Sequence, residues 1–131
     1  MSKYLVYTDV VFRSQPLLLA ALADLGYPTV EVGERLSLYG YGGDRRPETA
    51  EIVVRREHLG RASNDLGFVR TEQGYVPVIS DFDQRTLHGG KLLVKLRTAY
   101  SERVVEEVKK RLHGTAHRSV EGSVVKIRVR Y

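Results

Sequence analysis

The sequence contains no cysteine among its 131 residues. A chain without thiols cannot build a disulfide framework, a thiolate metal site or a cysteine nucleophile. Its longest apolar run, which contains 17–22 (LLLAAL), is far shorter than the roughly 20 residues of a membrane-spanning helix. The first twelve residues lack the cationic region, apolar core and cleavage site of a secretory signal. We therefore expect a cytoplasmic protein with no membrane segment.

The composition is otherwise that of an ordinary soluble domain. Hydrophobic residues make up 42% of the chain and charged residues 28%. A chain of this length buries roughly two thirds of its unfolded surface, so it can fold without a metal or a disulfide. Internal repeats, linkers and low-complexity segments are absent from the sequence. We expect a single domain over 1–131.

The most regular pattern is an apolar residue at every fourth position between 91 and 113. Residues three and four apart share one side of a helix, so this spacing predicts a long helix over 91–113, with Gly114 as its C-terminal cap. A shorter helix is predicted over 14–25. Ser14 has the character of an N-cap, Pro16 lies in the first turn and Gly26 follows the end.

Segments rich in Val, Ile, Tyr and Thr predict strands, and glycine-containing turns separate them. The predicted strands are 3–12, 29–32, 35–39, 49–56, the hairpin 66–71 and 75–80, and a closing hairpin 115–121 and 123–131. Pro77 indicates an edge strand or a bulge. Residues 39–47 and 81–90 are predicted loops. The fold class is therefore α+β, an antiparallel sheet of about five to seven strands packed by two helices.

The glycine-rich stretch Gly40–Asp44 and the acidic pair Asp81 and Asp83 are candidate ligand sites. A phosphate loop would open a helix or end in Gly-Lys-Ser/Thr, whereas Pro47 and a strand follow here, which favours a simple turn. The two carboxylates could take a divalent cation or cap the following turn. A ligand- or metal-binding domain at these two loops is one hypothesis for the function.

The final predicted strand carries a basic row. Lys126, Arg128 and Arg130 alternate with Val125, Ile127, Val129 and Tyr131, which predicts one wet and one buried face. The chain has 21 Lys and Arg against 16 Asp and Glu, a net charge of +5. A basic strand face of this kind can contact phosphates, so a nucleic-acid-binding module is a second hypothesis.

Signatures of catalysis or of a cofactor are missing from the sequence. It has no Gly-x-Ser-x-Gly elbow, and none of its serines is marked by a nearby His and acid. We therefore expect no cofactor and have no sequence-based reason to assign an enzymatic activity.

Several short runs together resemble a known family. They are 38–41 (LYGY), 44–46 (DRR), 50–55 (AEIVVR), 63–68 (SNDLGF) and 80–83 (SDFD), and SNDLGF is the most specific of them. The resemblance is to a family of unknown function whose plastid and cyanobacterial members are called chloroplast hypothetical reading frame thirty-five. It covers essentially the whole chain, although this chain has no tryptophan, unlike the plastid members.

The resemblance implies a small accessory protein, often encoded near AAA-type ATPases, and no established activity. The residues of its motifs predict a partner- or ligand-binding site at one end of the sheet, formed by Tyr41, Arg45, Asn64, Asp65, Asp81 and Asp83. The leading hypothesis is thus a non-enzymatic protein-binding subunit, with an AAA-type ATPase as a candidate partner. Exposed strand edges would allow strand addition by that partner or homo-oligomerisation.

Overall fold

The structure is a computed structural model, and it describes residues 2–116. Its centre is a five-stranded antiparallel sheet with the strand order β1-β5-β4-β3-β2. The strands are β1 (Tyr4–Val6), β2 (Glu31–Tyr39), β3 (Arg45–Val54), β4 (Leu66–Arg70) and β5 (Tyr75–Ser80). The predicted α+β class and antiparallel sheet are confirmed.

Three α-helices accompany this sheet: α1 (Gln15–Asp24), α2 (Asp81–Thr86) and α3 (Leu92–Ala116). The two predicted helices correspond to α1 and α3. The hydroxyl of Ser14 accepts a hydrogen bond from the Leu17 N–H at 3.3 Å, which is the predicted N-cap of α1. Among residues 2–116, no helix is both long enough and apolar enough to cross a bilayer.

Two predictions about the helices were wrong. The segment 81–90, predicted as a loop, begins with α2, which Ser80 caps by accepting the Asp83 N–H at 3.1 Å. Six residues are too few for a helical period to show in a sequence. Helix α3 also continues through Gly114, the predicted cap, to Ala116. The rest of the predicted closing hairpin lies outside the described residues.

The predicted strands 29–32 and 35–39 form one strand, β2, with a bulge between Val32 and Leu36 and a left-handed Arg35 (φ 48°). The loop predicted over 39–47 is shorter, because β3 already begins at Arg45. Strand β3 likewise ends at Val54, two residues before the predicted strand does.

Pro77 does not mark an edge, since β5 lies between β1 and β4. Its carbonyl accepts the Tyr7 N–H at 3.0 Å, while the Tyr7 carbonyl accepts the Val10 N–H at 3.1 Å. In a regular ladder, residue 77 would donate its N–H to the Tyr7 carbonyl. Proline has no N–H, and the Tyr7 carbonyl instead accepts a hydrogen bond within a turn at the end of β1. An interior strand tolerates proline at this position because the neighbouring strand ends there.

The sheet has two buried faces of different kinds. Helices α1 and α3 cover one face, and we call this the helix face; its fully buried residues include Phe12, Leu22, Ile52, Phe68, Ile79, Leu92 and Leu96. The opposite face holds a smaller apolar cluster of Leu38, Ala50, Val53 and Val78. The helices of residues 2–116 do not cover that cluster, and the sheet itself folds over it.

The hairpin of β2 and β3 curls over this opposite face. A Cβ on Gly67 would lie 2.8 Å from the Ala50 Cβ and 3.2 Å from the Leu38 methyl groups, so the hairpin packs directly on β4. Farther along, Arg46 Nη2 donates to the Ser2 carbonyl at 2.7 Å, next to β1. The hairpin thus reaches from one edge of the sheet toward the other.

Candidate functional site

Five polar side chains are buried together where the curled hairpin meets β4, β5 and α2. They are Ser63, Asn64, Asp65, Ser80 and Asp83, none more than 4% exposed. Burial of a polar group is costly unless hydrogen bonds replace its lost water. We call this group the polar cluster. Its hydrogen bonds therefore show which segments of the fold the buried side chains hold together.

Asp65 ties the end of β2 to the start of β4. Its Oδ2 accepts the Tyr39 N–H at 2.8 Å, and its own N–H donates to the Tyr39 carbonyl at 2.9 Å. Its Oδ1 accepts the Arg56 N–H at 2.7 Å. Since β3 lies between β2 and β4 in the sheet, these bonds reach across a strand and fix the curl of the hairpin.

Arg55 neutralises the buried Asp65 carboxylate. Its Nη1 lies 2.8 Å from Asp65 Oδ2 and also donates to the Ser37 carbonyl at 2.7 Å. Its Nε and Nη2 donate to Glu31 at 2.6 and 2.9 Å. Hydrogen bonding to Glu31, and then to Asp65, raises the pKa of Arg55. The guanidinium thus links the outer end of β2 to the polar cluster.

Asn64 connects the hairpin loop to the start of α2. Its Oδ1 accepts the Tyr41 N–H at 3.0 Å, and its Nδ2 donates to Ser80 Oγ at 2.9 Å. Its backbone N–H donates to Asp83 Oδ2 at 2.9 Å. One buried side chain therefore holds the hairpin loop and the start of α2 in a defined relation.

Asp83 belongs to the cap of α2. Its Oδ2 accepts the Ser80 hydroxyl at 2.8 Å, while its Oδ1 is buried without a hydrogen-bond partner in the described part of the chain. Burial first, and the charges of Asp65 and Asp83 next, raise the pKa of Tyr4, whose hydroxyl donates to the Asp65 carbonyl at 2.7 Å. Burial and these carboxylates therefore both favour the neutral, donating form of Tyr4.

An open cleft of about 360 Å³ lies on the surface outside the polar cluster. Its lining consists of Ser2, Tyr41, Ala62, Asp81, Phe82 and Arg85, and we call it the Tyr41 cleft. The Tyr41 side chain is 58% exposed. Asp81 accepts the Lys3 N–H at 3.1 Å, and the Arg85 guanidinium has no ion pair or hydrogen bond to residues 2–116. The cleft thus presents two aromatic rings and a free cation.

The structure divides the six residues predicted for the partner or ligand site into two groups. Tyr41 and Asp81 line the cleft, and Asn64, Asp65 and Asp83 are buried behind it. Arg45 is exposed at the start of β3 and is outside the cleft lining. Sequence reasoning missed Phe82 and Arg85 as lining residues, and it missed the Ser80 cap, although Ser and Asp three residues apart are a signal of a helix start.

The two loops considered for a phosphate or a metal are engaged within the fold. The Gly40 N–H donates to the Asp44 carbonyl and the Gly43 N–H to the Gly40 carbonyl, both at 2.9 Å, so this is a reverse turn. Asp81 and Asp83 bond to different partners. Within 2–116, no three His, Cys, Asp or Glu residues are grouped so that they could hold a metal ion. Lys126, Arg128 and Arg130 lie outside the described residues.

Comparison with known protein families gives a match. The profile of a family described as "Protein of unknown function (DUF1257)" matches residues 21–126. No curated protein and no solved structure matches the chain. The narrower resemblance to chloroplast hypothetical reading frame thirty-five stays a prediction. The matched region includes most of the chain, with all of β2–β5 and the whole Tyr41 cleft except Ser2. The chain therefore belongs to the DUF1257 family, whose function is unknown.

Proposed function

We propose that this chain is a non-enzymatic accessory protein that binds another protein at the Tyr41 cleft. The observation that carries the proposal is the use of the polar cluster. Asn64 fixes the Tyr41 backbone on one side of the cleft, and Ser80 and Asp83 fix the start of α2 on the other. Buried hydrogen bonds of this kind preorganise a surface, which lowers the entropic cost of binding.

The lining of the cleft has the composition of a protein-binding hot spot. Tyr and Arg are enriched at such positions, and an exposed aromatic ring beside a half-buried one offers apolar area with few rotatable bonds. Tyr41, Phe82 and Arg85 supply these groups. A partner segment with an apolar side chain for the two rings and a carboxylate for Arg85 would fit this chemistry.

The polar cluster itself supports a structural role and not a catalytic one. Both carboxylate oxygens of Asp65 accept backbone N–H groups, and one also pairs with Arg55. An acid or base in catalysis needs a carboxylate that can reach a substrate proton. Asp65 is 1% exposed, so its carboxylate is turned away from the cleft surface.

The identity of the partner is a further part of the proposal. The sequence resemblance suggests an AAA-type ATPase, and a small subunit with a preformed cleft is suited to docking on a larger assembly. A tagged pull-down from the native host, with and without nuclease, tests this. The variants are the wild type, Tyr41→Ala with Arg85→Glu, and Lys109→Glu, an exposed residue of α3 that undergoes the same charge change as Arg85.

We expect the wild type and Lys109→Glu to capture the same protein after nuclease treatment, and the cleft variant to lose it. Retention by the cleft variant would contradict the site. Loss of every partner on nuclease treatment would contradict the protein-binding function and favour the nucleic-acid alternative through Lys126, Arg128 and Arg130. A metal or small molecule in the purified native protein would favour the ligand-binding alternative.

A further inference from the structure

A second cleft lies between α3 and the segment that follows β1. Its volume is about 490 Å³, against about 360 Å³ for the Tyr41 cleft. Sites for small molecules have volumes of roughly 300–1,000 Å³, so this cleft has the size of a ligand site. All of its lining residues lie within 2–116, and none of them lines the Tyr41 cleft. We call it the Arg97 cleft.

The floor of the Arg97 cleft consists of two buried aromatic residues. Phe12 and Tyr100 pack edge to face, with their ring centroids 5.1 Å apart. The Phe12 N–H and carbonyl bond to the Tyr75 backbone in β5 at 2.8 and 2.7 Å. The Tyr100 hydroxyl accepts the Ser14 N–H at 2.9 Å. These contacts join both walls to each other and to the sheet, so the cleft is preformed and a ligand need not order it.

One wall of the cleft is a row of side chains along α3. Val94, Arg97 and Ser101 lie three and four residues apart, so they share one side of the helix. Val94 is 64% exposed. The Arg97 guanidinium and the Ser101 hydroxyl have no ion pair or hydrogen bond to residues 2–116. This wall therefore offers two hydrogen-bond donors and an apolar side chain, which suit a carboxylate attached to an apolar group.

The opposite wall carries a charge of the opposite sign. Asp9 lies in a turn that the Val10 N–H closes by donating to the Tyr7 carbonyl at 3.1 Å. The Asp9 carboxylate has no ion pair or hydrogen bond to residues 2–116, so it does not pair with Arg97 although both line the same cleft. Val11, which is half-buried, adds an apolar side chain to this wall. The cleft thus has an anion on one wall and a cation on the other.

Charge and length limit what can fill the Arg97 cleft. A ligand with a carboxylate alone would be repelled by Asp9, and a ligand with an ammonium alone would be repelled by Arg97. A ligand that carries both groups pairs with both walls. The row from Val94 to Ser101 is about 10 Å long, seven residues at 1.5 Å each, which favours a small molecule over a long peptide segment.

We propose that the Arg97 cleft binds a small zwitterion with an apolar side chain, namely a free amino acid. The ligand ammonium pairs with Asp9, and the ligand carboxylate pairs with Arg97 and accepts the Ser101 hydroxyl. The apolar side chain of the ligand packs against Val11 and Val94, whose burial adds to the affinity. The inference does not depend on the proposed function, because the two clefts share no residue.

A chemical-shift titration of the full chain by NMR tests the class of ligand. The probes are leucine and phenylalanine, and the comparison compounds are leucinamide without the carboxylate, isocaproate without the ammonium, and glycine without the apolar side chain. We expect leucine or phenylalanine to bind, and each comparison compound to bind at least about tenfold more weakly, because it leaves a group of the cleft unpaired. Failure of both amino acids to bind, or equal binding of any comparison compound, would overturn the proposal.

Two variants test the position of the site. Arg97→Gln removes the cation and Asp9→Asn the anion, and both residues are exposed, so neither substitution should unfold the protein. We expect each to weaken binding of the amino acid about tenfold or more. The controls Lys109→Gln on α3 and Asp44→Asn on the hairpin loop make matching changes at exposed positions outside the cleft and should leave the affinity unchanged. Unchanged affinity in Arg97→Gln and Asp9→Asn, or an equal loss in the controls, would overturn the site.

The same titration separates the two clefts. The variant that combines Tyr41→Ala with Arg85→Glu changes only the Tyr41 cleft, so it should bind the amino acid with the affinity of the wild type. The amide signals that shift on binding should include those of Asp9, Arg97 and Ser101. Loss of amino acid binding in the Tyr41→Ala and Arg85→Glu variant, or shifts confined to residues of the Tyr41 cleft, would overturn the proposal.

Discussion

The two faces of the sheet are closed by different forces. On the helix face, α1 and α3 bury a continuous apolar core that includes Phe68, Leu96 and Tyr100. On the opposite face, Leu38, Ala50, Val53 and Val78 are buried by the curled β2–β3 hairpin, which side chains of the polar cluster hold in place. The first face depends on area removed from water, and the second on a few buried hydrogen bonds.

This difference explains where the candidate site lies. An apolar core tolerates many substitutions of similar volume, whereas a buried polar network requires particular atoms at particular positions. The Tyr41 cleft depends on the polar network of the opposite face, because the Asn64 and Ser80 side chains position both walls of the cleft. The geometry of this surface is therefore more sensitive to single substitutions than that of the helix face.

The largest effect is expected from Asp65→Ala. It leaves the Tyr39 and Arg56 N–H groups without their side-chain acceptor, while Arg55 keeps Glu31 and the Ser37 carbonyl. Each donor left unsatisfied costs about 1–3 kcal/mol, so the free energy of unfolding should fall by about 2–6 kcal/mol. Chemical denaturation measures it. The control Asp44→Ala removes an exposed carboxylate 3.7 Å from Arg46 and should cost less than about 1 kcal/mol. Equal losses in the two variants would contradict the role of Asp65.

The next prediction concerns energetic coupling between the apolar cluster under the hairpin and the Asn64 hydrogen bond that holds the hairpin loop. Leu38→Ala and Leu96→Ala should each cost about 2–5 kcal/mol, since both leucines are fully buried. Only Leu38→Ala should be non-additive with Asn64→Ala, by about 0.5–3 kcal/mol, because Leu38 and the Tyr41 loop lie on the same hairpin. Double-mutant cycles in denaturant measure the coupling. Additive losses of unfolding free energy in both cycles would contradict the coupling between Leu38 and Asn64.

These two predictions also mark the limit of the sequence. The four-residue period of α3 and the turn that joins β4 to β5 are local signals, and both the helix and the hairpin were predicted from them. The curl of the hairpin depends on bonds between distant residues, 26 positions apart for Asp65 and Tyr39 and 23 for Asn64 and Tyr41. No local pattern encodes such a bond. The sequence thus predicted Asn64 and Asp65 as residues of a binding site, but it did not predict that both are buried.

A smaller effect is expected from Gly67→Ala. The added Cβ would lie 2.8 Å from the Ala50 Cβ, and the hairpin would have to move away from β4. Overpacking of this kind costs about 1–3 kcal/mol. Thermal unfolding measures the loss, and the double variant Gly67→Ala with Ala50→Gly should recover part of it. No rescue by Ala50→Gly would contradict the packing of the hairpin on β4.

The smallest effect is a pH dependence at the helix face. Desolvation, and then the charge of Lys95, lower the pKa of His88, whose Nε2 lies 2.8 Å from the Tyr27 hydroxyl. The unfolded chain therefore binds a proton more readily than the folded protein. The stability that this group contributes is complete above the unfolded pKa of about 6.5, and it is lost as pH falls from there toward the lowered folded pKa.

His88→Asn should flatten that part of the pH profile. Asn tolerates the left-handed backbone at this position (φ 52°), so the substitution removes the titration without adding strain. Unfolding free energies between pH 5 and 8 measure the slope, with His58→Asn, an exposed site, as the control. Identical slopes in the wild type and His88→Asn would contradict the assignment.

The most direct test of the central claim, that buried hydrogen bonds close the second face and position the cleft, is amide exchange at Tyr39 and Tyr41. Both residues have exposed side chains, yet their N–H groups bond to Asp65 and Asn64. The account predicts slow exchange at both amides in the wild type. In Asn64→Ala it predicts fast exchange at Tyr41, with the amide of Leu96 in α3 unchanged. Fast exchange at Tyr41 in the wild type, or equal protection in Asn64→Ala, would contradict it.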